Sequence, residues 1–201
     1  NVTRFFREPH HFEHLKAKVL PPLLRAARDG APVRIWSAGC SSGEEPYSIA
    51  LTILSLAPEA PEWDVRILAT DIDTNVLAKA RAGTYGASNM LQIPGDLRSR
   101  WFERDGEAWT VTAPLRRLVV FNELNLMGEW PMKRRFDAIF CRNVVIYFEE
   151  ATQARVFARF VPQMNPGARL YIGHSERISG PAADVLESDG VTIYRLKDGV
   201  R

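Results

Sequence analysis

Two adjacent acids, Glu44 and Glu45, close a glycine-bearing turn in the segment SAGCSSGEEP, residues 37–46. The turn lies between a predicted strand and a predicted helix, an arrangement that binds nucleotide-like ligands. Its Gly39-x-x-x-Gly43 spacing matches neither the GxGxxG fingerprint nor the GxxxxGK[ST] phosphate loop. Two carboxylates at a helix N-terminus would repel the pyrophosphate that otherwise binds there, so the pair favours a cationic ligand without phosphate. The alternative is that both acids only complement the helix dipole.

A third acid, Asp71, ends the second predicted strand in the segment ATDIDTNVL, residues 69–77. At this place in a doubly wound fold, an acid accepts hydrogen bonds from a ribose diol. The alternative is a helix N-cap. Asp73 or Thr74 is better placed for the cap, which leaves Asp71 for the ribose.

Two asparagine pairs, Asn125-Leu126 and Asn143-Val144, follow later predicted strands and therefore lie at the same edge of the sheet. An asparagine amide both donates to and accepts from an adenine edge, although each asparagine alone is also a common turn former. Together with the acids, these residues predict an adenosine site. S-adenosylmethionine carries an adenosine, an ammonium and a sulfonium, so it fits this set.

The elements that must position these residues follow from hydrophobic periodicity. Pro21-Pro22 is expected to kink or divide the first helix. Strands that alternate with helices indicate an α/β fold with a mostly parallel sheet and helices on both faces. The patterns predict helices over 12–27, 46–56, 74–82 and 149–164, and strands over 33–37, 65–70, 137–141, 169–172 and 192–196.

One region, about residues 95–121, breaks the alternation and predicts a small antiparallel β insertion. Asp105-Gly106 is a hairpin turn signal between 101–102 and 109–111. A third strand over 118–121 either completes the insertion or rejoins the main sheet. A decorated loop is the competing interpretation.

Composition limits the class of protein. The 201 residues suit one α/β domain, and the net charge of +2 gives no strong field for nucleic acid or membranes. Cys40 and Cys141 have no CxxC partner, and no apolar run is long enough to span a bilayer, so we expect a cytoplasmic protein. We also expect a monomer. His10 and His14 have helical spacing but no third ligand, so no metal site is predicted.

The chain resembles the chemotaxis-receptor methyltransferase family, the CheR type. The resemblance implies a class I S-adenosylmethionine-dependent methyltransferase fold. It also implies methylation of glutamate side chains on the cytoplasmic region of bacterial chemoreceptors, with S-adenosylhomocysteine as the product. The matching stretches are NVTRFFRE (1–8), RIWSAGCSSGEEPYSIA (34–50), ATDIDTNVLAKAR (69–81), FDAIFCRNVVIYF (136–148) and GHSE (173–176).

The resemblance also assigns roles to residues. Arg7 and Tyr147 would lie near the transferred methyl group, and Glu44 would be a neighbour of the cofactor. The expected cofactor-binding residues are Asn1, Thr3, Arg7, Gly39, Glu45, Asp71, Asn125, Leu126, Asn143 and Val144.

Two departures from the family pattern bear on the substrate. The small helical domain that usually precedes the catalytic domain is absent from this sequence, so 1–201 is expected to be the catalytic domain alone. The β insertion can dock a receptor tethering peptide in the family, and its tight tip at 104–107 leads us to hypothesise that this chain does not need one. The alternatives are a non-catalytic S-adenosylmethionine-binding regulatory domain, or a methyltransferase with another substrate.

Overall fold

The computed structural model describes residues 2–200, whose strands form two sheets. The main sheet has seven strands in the order β6-β2-β1-β7-β8-β10-β9, and a small sheet has three in the order β3-β5-β4. The strands are Val33–Ala38 (β1), Val65–Asp71 (β2), Thr84–Gly86 (β3), Phe102–Asp105 (β4), Ala108–Val111 (β5), Val119–Glu123 (β6), Phe136–Cys141 (β7), Met164–Ile172 (β8), Leu186–Gly190 (β9) and Ile193–Leu196 (β10).

The helices alternate with these strands along most of the chain. A π-helical segment, Leu15–Val19, joins the first two. Within residues 2–200, no helix has the length and apolar character needed to cross a membrane. The α-helices are Pro9–His14 (α1), Leu20–Arg28 (α2), Glu44–Leu56 (α3), Thr74–Ala82 (α4), Gly95–Trp101 (α5), Ala113–Arg117 (α6), Glu150–Phe160 (α7) and Pro181–Val185 (α8), and short 3₁₀ turns span Ala60–Glu62, Ala87–Gln92, Val145–Tyr147 and Val161–Gln163.

The main sheet confirms the predicted α/β class. Strands β6, β2, β1, β7 and β8 are parallel neighbours, and β10 runs antiparallel to β8 and β9. Ile35 and Trp36 of β1 show how the faces divide. Ile35 packs in the apolar cluster that includes α2 and α3, whereas Trp36 packs in the cluster that includes α7. Helices therefore cover both faces, which is what a buried parallel sheet requires.

Local signals explain where helices begin and end. The side chain of Asp73 accepts from the backbone N–H of Asn75 at 2.8 Å, which confirms an N-cap at α4, and Gly83 ends that helix at φ 62°. The predicted break at Pro21-Pro22 takes the form of the π-helical segment directly ahead of them. The prolines then occupy the first turn of α2, where a missing N–H costs little.

Some predicted boundaries are wrong, among them Trp101, which ends α5 and is not part of the hairpin, and the end of the helix over 149–164. The helical pattern over 149–164 includes Met164, but Met164 begins β8 and pairs with Phe136 of β7. Strand pairing therefore overrides the helical periodicity there.

The structure also settles where the strands around the insertion belong. The hairpin is β4 and β5, and the 118–121 run rejoins the main sheet as part of β6, beside β2. The third strand of the small sheet is instead β3, which lies outside the predicted range 95–121.

Candidate functional site

A cleft of about 760 Å³ opens at the carboxyl ends of β1, β2, β6 and β7. Its walls come from the N-terminal segment and from the loops that follow these four strands. All the predicted cofactor residues within 2–200 line it, and Asn1 lies outside the described residues. The predicted residues on its wall are Thr3, Arg7, Gly39, Glu45, Asp71, Asn125, Leu126, Asn143, Val144 and Tyr147.

The loop after β1 has a shape that requires glycine at Gly39. Gly39 has φ 79°, and a Cβ there would lie 2.4 Å from Cγ2 of Val144, a residue of the opposite wall. Ser41 has φ 50°, a strained value for a residue with a side chain. Its N–H donates to Oδ2 of Asp71 at 2.8 Å, and this bond helps to hold the loop.

Asp71 therefore has a structural task as well as a place on the cavity wall. Its Oδ2 accepts from Ser41 and its Oδ1 accepts from the N–H of Asp73 at 3.0 Å. The sequence suggested that the Asp71 carboxylate has no partner within the chain, whereas it accepts these two backbone hydrogen bonds. Each carboxylate oxygen nevertheless has a second lone pair, so Asp71 can still accept from a ligand hydroxyl.

The paired acids of the loop separate in the structure. Glu45 lines the cavity, whereas Glu44 is buried outside the cavity wall, where it accepts from the hydroxyl of Ser42 at 2.7 Å. Burial raises the pKa of Glu44. Of the two acids, Glu45 therefore faces the cavity and Glu44 does not, because successive helical residues point in different directions. The role of Glu44 as a neighbour of the cofactor stays a prediction.

Glu45 is also not an uncompensated charge. Its Oε2 accepts from Nε of Arg142 at 2.8 Å and its Oε1 accepts from the hydroxyl of Ser37 at 2.7 Å. Arg142 lines the same cavity, so the wall carries two acids, Glu45 and Asp71, and two cations, Arg7 and Arg142. The cavity thus offers partners of both signs to a zwitterionic ligand.

Arg142 connects this wall to the N-terminal segment. Its Nη1 donates to the carbonyl of Arg7 at 2.6 Å and to Nδ1 of His11 at 3.0 Å, and lies 3.8 Å from Oε2 of Glu8. Since Nδ1 accepts, the His11 proton is on Nε2, which donates to the hydroxyl of Thr192 at 2.8 Å. Burial, with the charge of Arg142, lowers the pKa of His11 to about 3, so the ring is neutral.

The sequence analysis missed Arg142, and the sequence did contain a signal for it. A charged residue that directly follows a fully buried strand, as Arg142 follows Cys141, needs a buried partner of opposite charge. It also missed Glu8, whose pKa is lowered although burial alone raises it, because His174 and Arg142 stabilise the carboxylate.

The loop after β7 is held by a buried acid, Glu176. Its carboxylate accepts from the backbone N–H groups of Gly173, Asn143, Val144 and Val145 at 2.6–3.0 Å. These bonds stabilise Asn143 at φ 59°, a conformation uncommon for residues other than glycine. Glu176 belongs to the GHSE stretch, but it acts beneath the cavity wall and not on the wall itself.

The wall also has an apolar section. Oδ1 of Asn125 accepts from the N–H of Met127 at 2.9 Å, so this asparagine does form a turn, and its amide N–H₂ remains available to a ligand. Ile72 and Met127 line the cavity with exposed fractions of 61% and 46%. Exposed apolar side chains beside a polar amide suit the face and the edge of a heteroaromatic ring.

Tyr147 is not a core aromatic residue. It follows the apolar run VVI, yet 75% of it is exposed where it lines the cavity.

The two cysteines are free and buried, and burial raises the pKa of each thiol. Neither thiol therefore has the character of a nucleophile.

The family model and the relatives found by sequence agree on one family. A family model described as CheR methyltransferase, SAM binding domain, matches residues 1–194. The "Probable chemotaxis protein methyltransferase" of Rhizobium etli is 53% identical over 199 residues, which is 97% of this chain and 74% of that protein. "Chemotaxis protein methyltransferase 2" of Pseudomonas aeruginosa is 43% identical over 200 residues, 96% of this chain and 69% of that protein.

Among experimental structures, the chain is similar to PKMT2 from Rickettsia typhi in complex with AdoHcy. The TM-score is 0.49 at 14% identity, over 86% of this chain and 26% of that chain.

Proposed function

This chain belongs to the CheR methyltransferase family, and on that premise we propose that it transfers the methyl group of S-adenosylmethionine to glutamate side chains of bacterial chemoreceptors. The products would be glutamate methyl esters and S-adenosylhomocysteine. The observation that carries the proposal is that the predicted cofactor-binding residues within residues 2–200 come from five separate segments and all line one cavity.

The wall chemistry supports this cofactor. Asp71 has lone pairs available for a ribose diol, and the amide N–H₂ of Asn125 is available for the adenine edge. Ile72 and Met127 provide an apolar surface for the adenine ring. The methionine moiety carries an ammonium and a carboxylate, for which the mixed charges of the wall provide partners.

The methyl acceptor needs no general base. A glutamate side chain has an unperturbed pKa of about 4.3 and is a carboxylate at neutral pH. Bound S-adenosylmethionine supplies a methyl group already activated by its sulfonium. The residues of the chain then have to orient and desolvate the acceptor, and orientation supplies up to about 7–11 kcal/mol in ideal cases.

Arg7 and Tyr147 are the candidates for that orientation. Both line the cavity, and the only hydrogen bond of the Arg7 guanidinium within residues 2–200 is that of Nη1 to the carbonyl of Val2 at 2.6 Å. Arg7 can therefore also bind a carboxylate, either that of the substrate or that of the methionine moiety. The exposed hydroxyl of Tyr147 can donate to the acceptor glutamate.

A surface outside the cavity is the proposed docking site for the receptor. The small sheet presents a short hairpin turned by Gly106, and we propose that the cytoplasmic region of a receptor docks there without a tethering peptide. Micromolar or tighter binding of a receptor C-terminal peptide in a calorimetric titration would contradict the second part of this proposal.

The function is tested by incubation of the chain with methyl-labelled S-adenosylmethionine and a receptor cytoplasmic fragment. We expect label on the fragment, and less label when its acceptor glutamates are replaced by alanine. Cofactor binding without transfer would favour a regulatory S-adenosylmethionine-binding domain instead.

A further inference from the structure

The small sheet contacts two of the segments that line the cavity, the loop after β1 and the N-terminal segment. Tyr85 of β3 makes the two contacts. Its hydroxyl donates to the carbonyl of Ser42, in the loop after β1, at 2.8 Å. Its ring packs edge-on against Phe5 of the N-terminal segment, with ring centroids 4.9 Å apart.

The first contact falls where the loop needs support. Ser42 lies between Ser41 at φ 50° and Gly43 at φ 99°, so the carbonyl of Ser42 is flanked by two left-handed residues. Such a conformation persists only where neighbouring groups hold it. Asp71 holds one side of this turn through the N–H of Ser41, and Tyr85 holds the other.

The approach of Tyr85 to the loop is close. A Cβ at Gly43 would lie 2.8 Å from the Tyr85 hydroxyl oxygen, so only glycine accommodates the ring at this distance. Burial raises the pKa of Tyr85, so its hydroxyl stays protonated and remains a donor.

The second contact anchors the N-terminal segment. Phe5 is fully buried, and it packs on Tyr85 and, at 6.0 Å between ring centroids, on Phe102 of β4. Thr3 and Arg7, two residues to either side, line the cavity. The position of the Phe5 ring therefore determines where these two cavity residues can lie.

We propose that Tyr85 is a positioning residue for methyl transfer, whose hydroxyl shapes the cofactor loop and whose ring, through Phe5, places Arg7. This inference rests on the proposed function. It assigns to the small sheet a role in building the transfer site, in addition to its proposed role in docking the receptor. Tyr85 itself does not line the cavity, so it acts only through these neighbours.

The test separates the hydroxyl from the ring. Tyr85→Phe removes only the hydrogen bond to Ser42. We expect the Kd for S-adenosylmethionine to rise between about twofold and about tenfold, the range for one lost hydrogen bond, with kcat at saturating cofactor unchanged. Tyr85→Leu also removes the ring that holds Phe5, and we expect kcat to fall as well because Arg7 loses its placement.

Tyr47→Phe is the matched control. Tyr47 is also buried, and its hydroxyl donates to a backbone carbonyl, that of Ala80 at 3.0 Å, but outside the cofactor loop. The two phenylalanine variants should lose similar amounts of thermal stability, and only Tyr85→Phe should bind the cofactor more weakly.

Two results would overturn the inference while leaving the proposed function intact: cofactor affinity of Tyr85→Phe equal to that of the wild type, or an equal loss in Tyr47→Phe. A wild-type chain that binds no S-adenosylmethionine in the same calorimeter would instead overturn the proposed function, and this inference with it.

Discussion

At the scale of single residues, Arg142 sets the charge balance of the cavity. It is 7% exposed and bonds to Glu45, and its guanidinium lies near Glu8. Removal of one partner of such a buried pair leaves an uncompensated charge, at a cost of about 3–5 kcal/mol. The charge that the cavity presents to a ligand is therefore set by Arg142 together with the acids.

Arg7→Ala should separate activity from stability. Because Arg7 is only partly buried, we expect the free energy of unfolding to change by about 1 kcal/mol or less. Loss of a charge-assisted bond to a carboxylate should lower kcat/KM for methyl transfer by about tenfold to a hundredfold. Urea unfolding and a transfer assay measure the two effects. Arg4→Ala is the control, since Arg4 is exposed and lies outside the cavity wall; unchanged turnover in Arg7→Ala would remove Arg7 from the mechanism.

Tyr147→Phe should leave the fold intact. The side chain is largely exposed, so the free energy of unfolding should stay within about 0.5 kcal/mol of the wild-type value. If the hydroxyl donates to the acceptor glutamate, kcat/KM should fall by up to about tenfold. Steady-state kinetics with a receptor fragment test this. Tyr194→Phe, a half-buried tyrosine in β10 away from the cavity, should have unchanged kinetics, and equal kinetics in both variants would contradict the role of Tyr147.

At the scale of elements, the loop after β1 and the loop after β7 form the cavity as a pair. A Cβ at Gly39 would overlap Cγ2 of Val144, so the two loops pack directly against each other here. Asp71 and Glu176 hold the two loops through backbone N–H groups. Contacts within the chain therefore hold the shape of this wall.

Gly39→Ala should damage this pair of loops. The new Cβ would have to displace Val144, whereas a Cβ at Gly30, which also has positive φ at 99°, would meet no atom within 4 Å. Both alanine variants should lose about 1–2 kcal/mol of stability from backbone strain. Only Gly39→Ala should also bind S-adenosylmethionine more weakly, by about tenfold or more. The reason is that overpacking against Val144 costs a further ~1–3 kcal/mol and shifts the cavity wall. Equal cofactor affinity in the two variants, measured by calorimetry, would show that the contact does not shape the site.

The sequence predicted those features of the fold that depend on neighbouring residues, and it did not predict those that depend on distant ones. The helix over 74–82 was predictable because Asp73 and Gly83 mark its ends. The strand ends that hold Asp71, Asn125 and Asn143 were predictable from their apolar runs. The pairing of β3 with β5 was not, because a three-residue strand has no periodicity and its partner lies far along the chain.

The acids of the cofactor loop show the same limit at the site. Their spacing could indicate a ligand charge, but not that Glu44 bonds to Ser42 or that Glu45 pairs with a residue 97 positions away. Long-range pairs of this kind depend on tertiary packing. The resemblance to a family identified many of the wall residues, but it identified neither Arg142 nor the buried Glu176 that holds the loop after β7.

At the scale of the whole molecule, a neutral buried histidine couples stability to pH. His11 has a pKa of about 3 in the folded chain against an ordinary value of 6.5, because of burial and the charge of Arg142. Below pH 6.5 the unfolded chain therefore binds a proton that the folded chain does not. The stability from this group is present above about pH 6.5 and is lost as the pH falls towards 3.

His11→Gln should flatten that dependence. Between about pH 6.5 and 5.5, the wild type should lose about 1 kcal/mol more unfolding free energy than the variant, because glutamine takes up no proton. Urea unfolding across this range measures the unfolding free energy of both proteins. Other groups titrate in both proteins, so their contributions cancel in the difference between the two. Parallel pH profiles for the two proteins would mean that His11 has the same pKa in the folded and the unfolded chain.

The central claim is that the cavity delivers a methyl group to a carboxylate. The most direct measurement is the alkali lability of the product formed from labelled S-adenosylmethionine and a receptor cytoplasmic fragment. A glutamate methyl ester hydrolyses in mild alkali and releases the label as methanol. We expect near-complete release; a transferred label that stays on the fragment through the same treatment would mean methylation of nitrogen and would rule out transfer to a carboxylate.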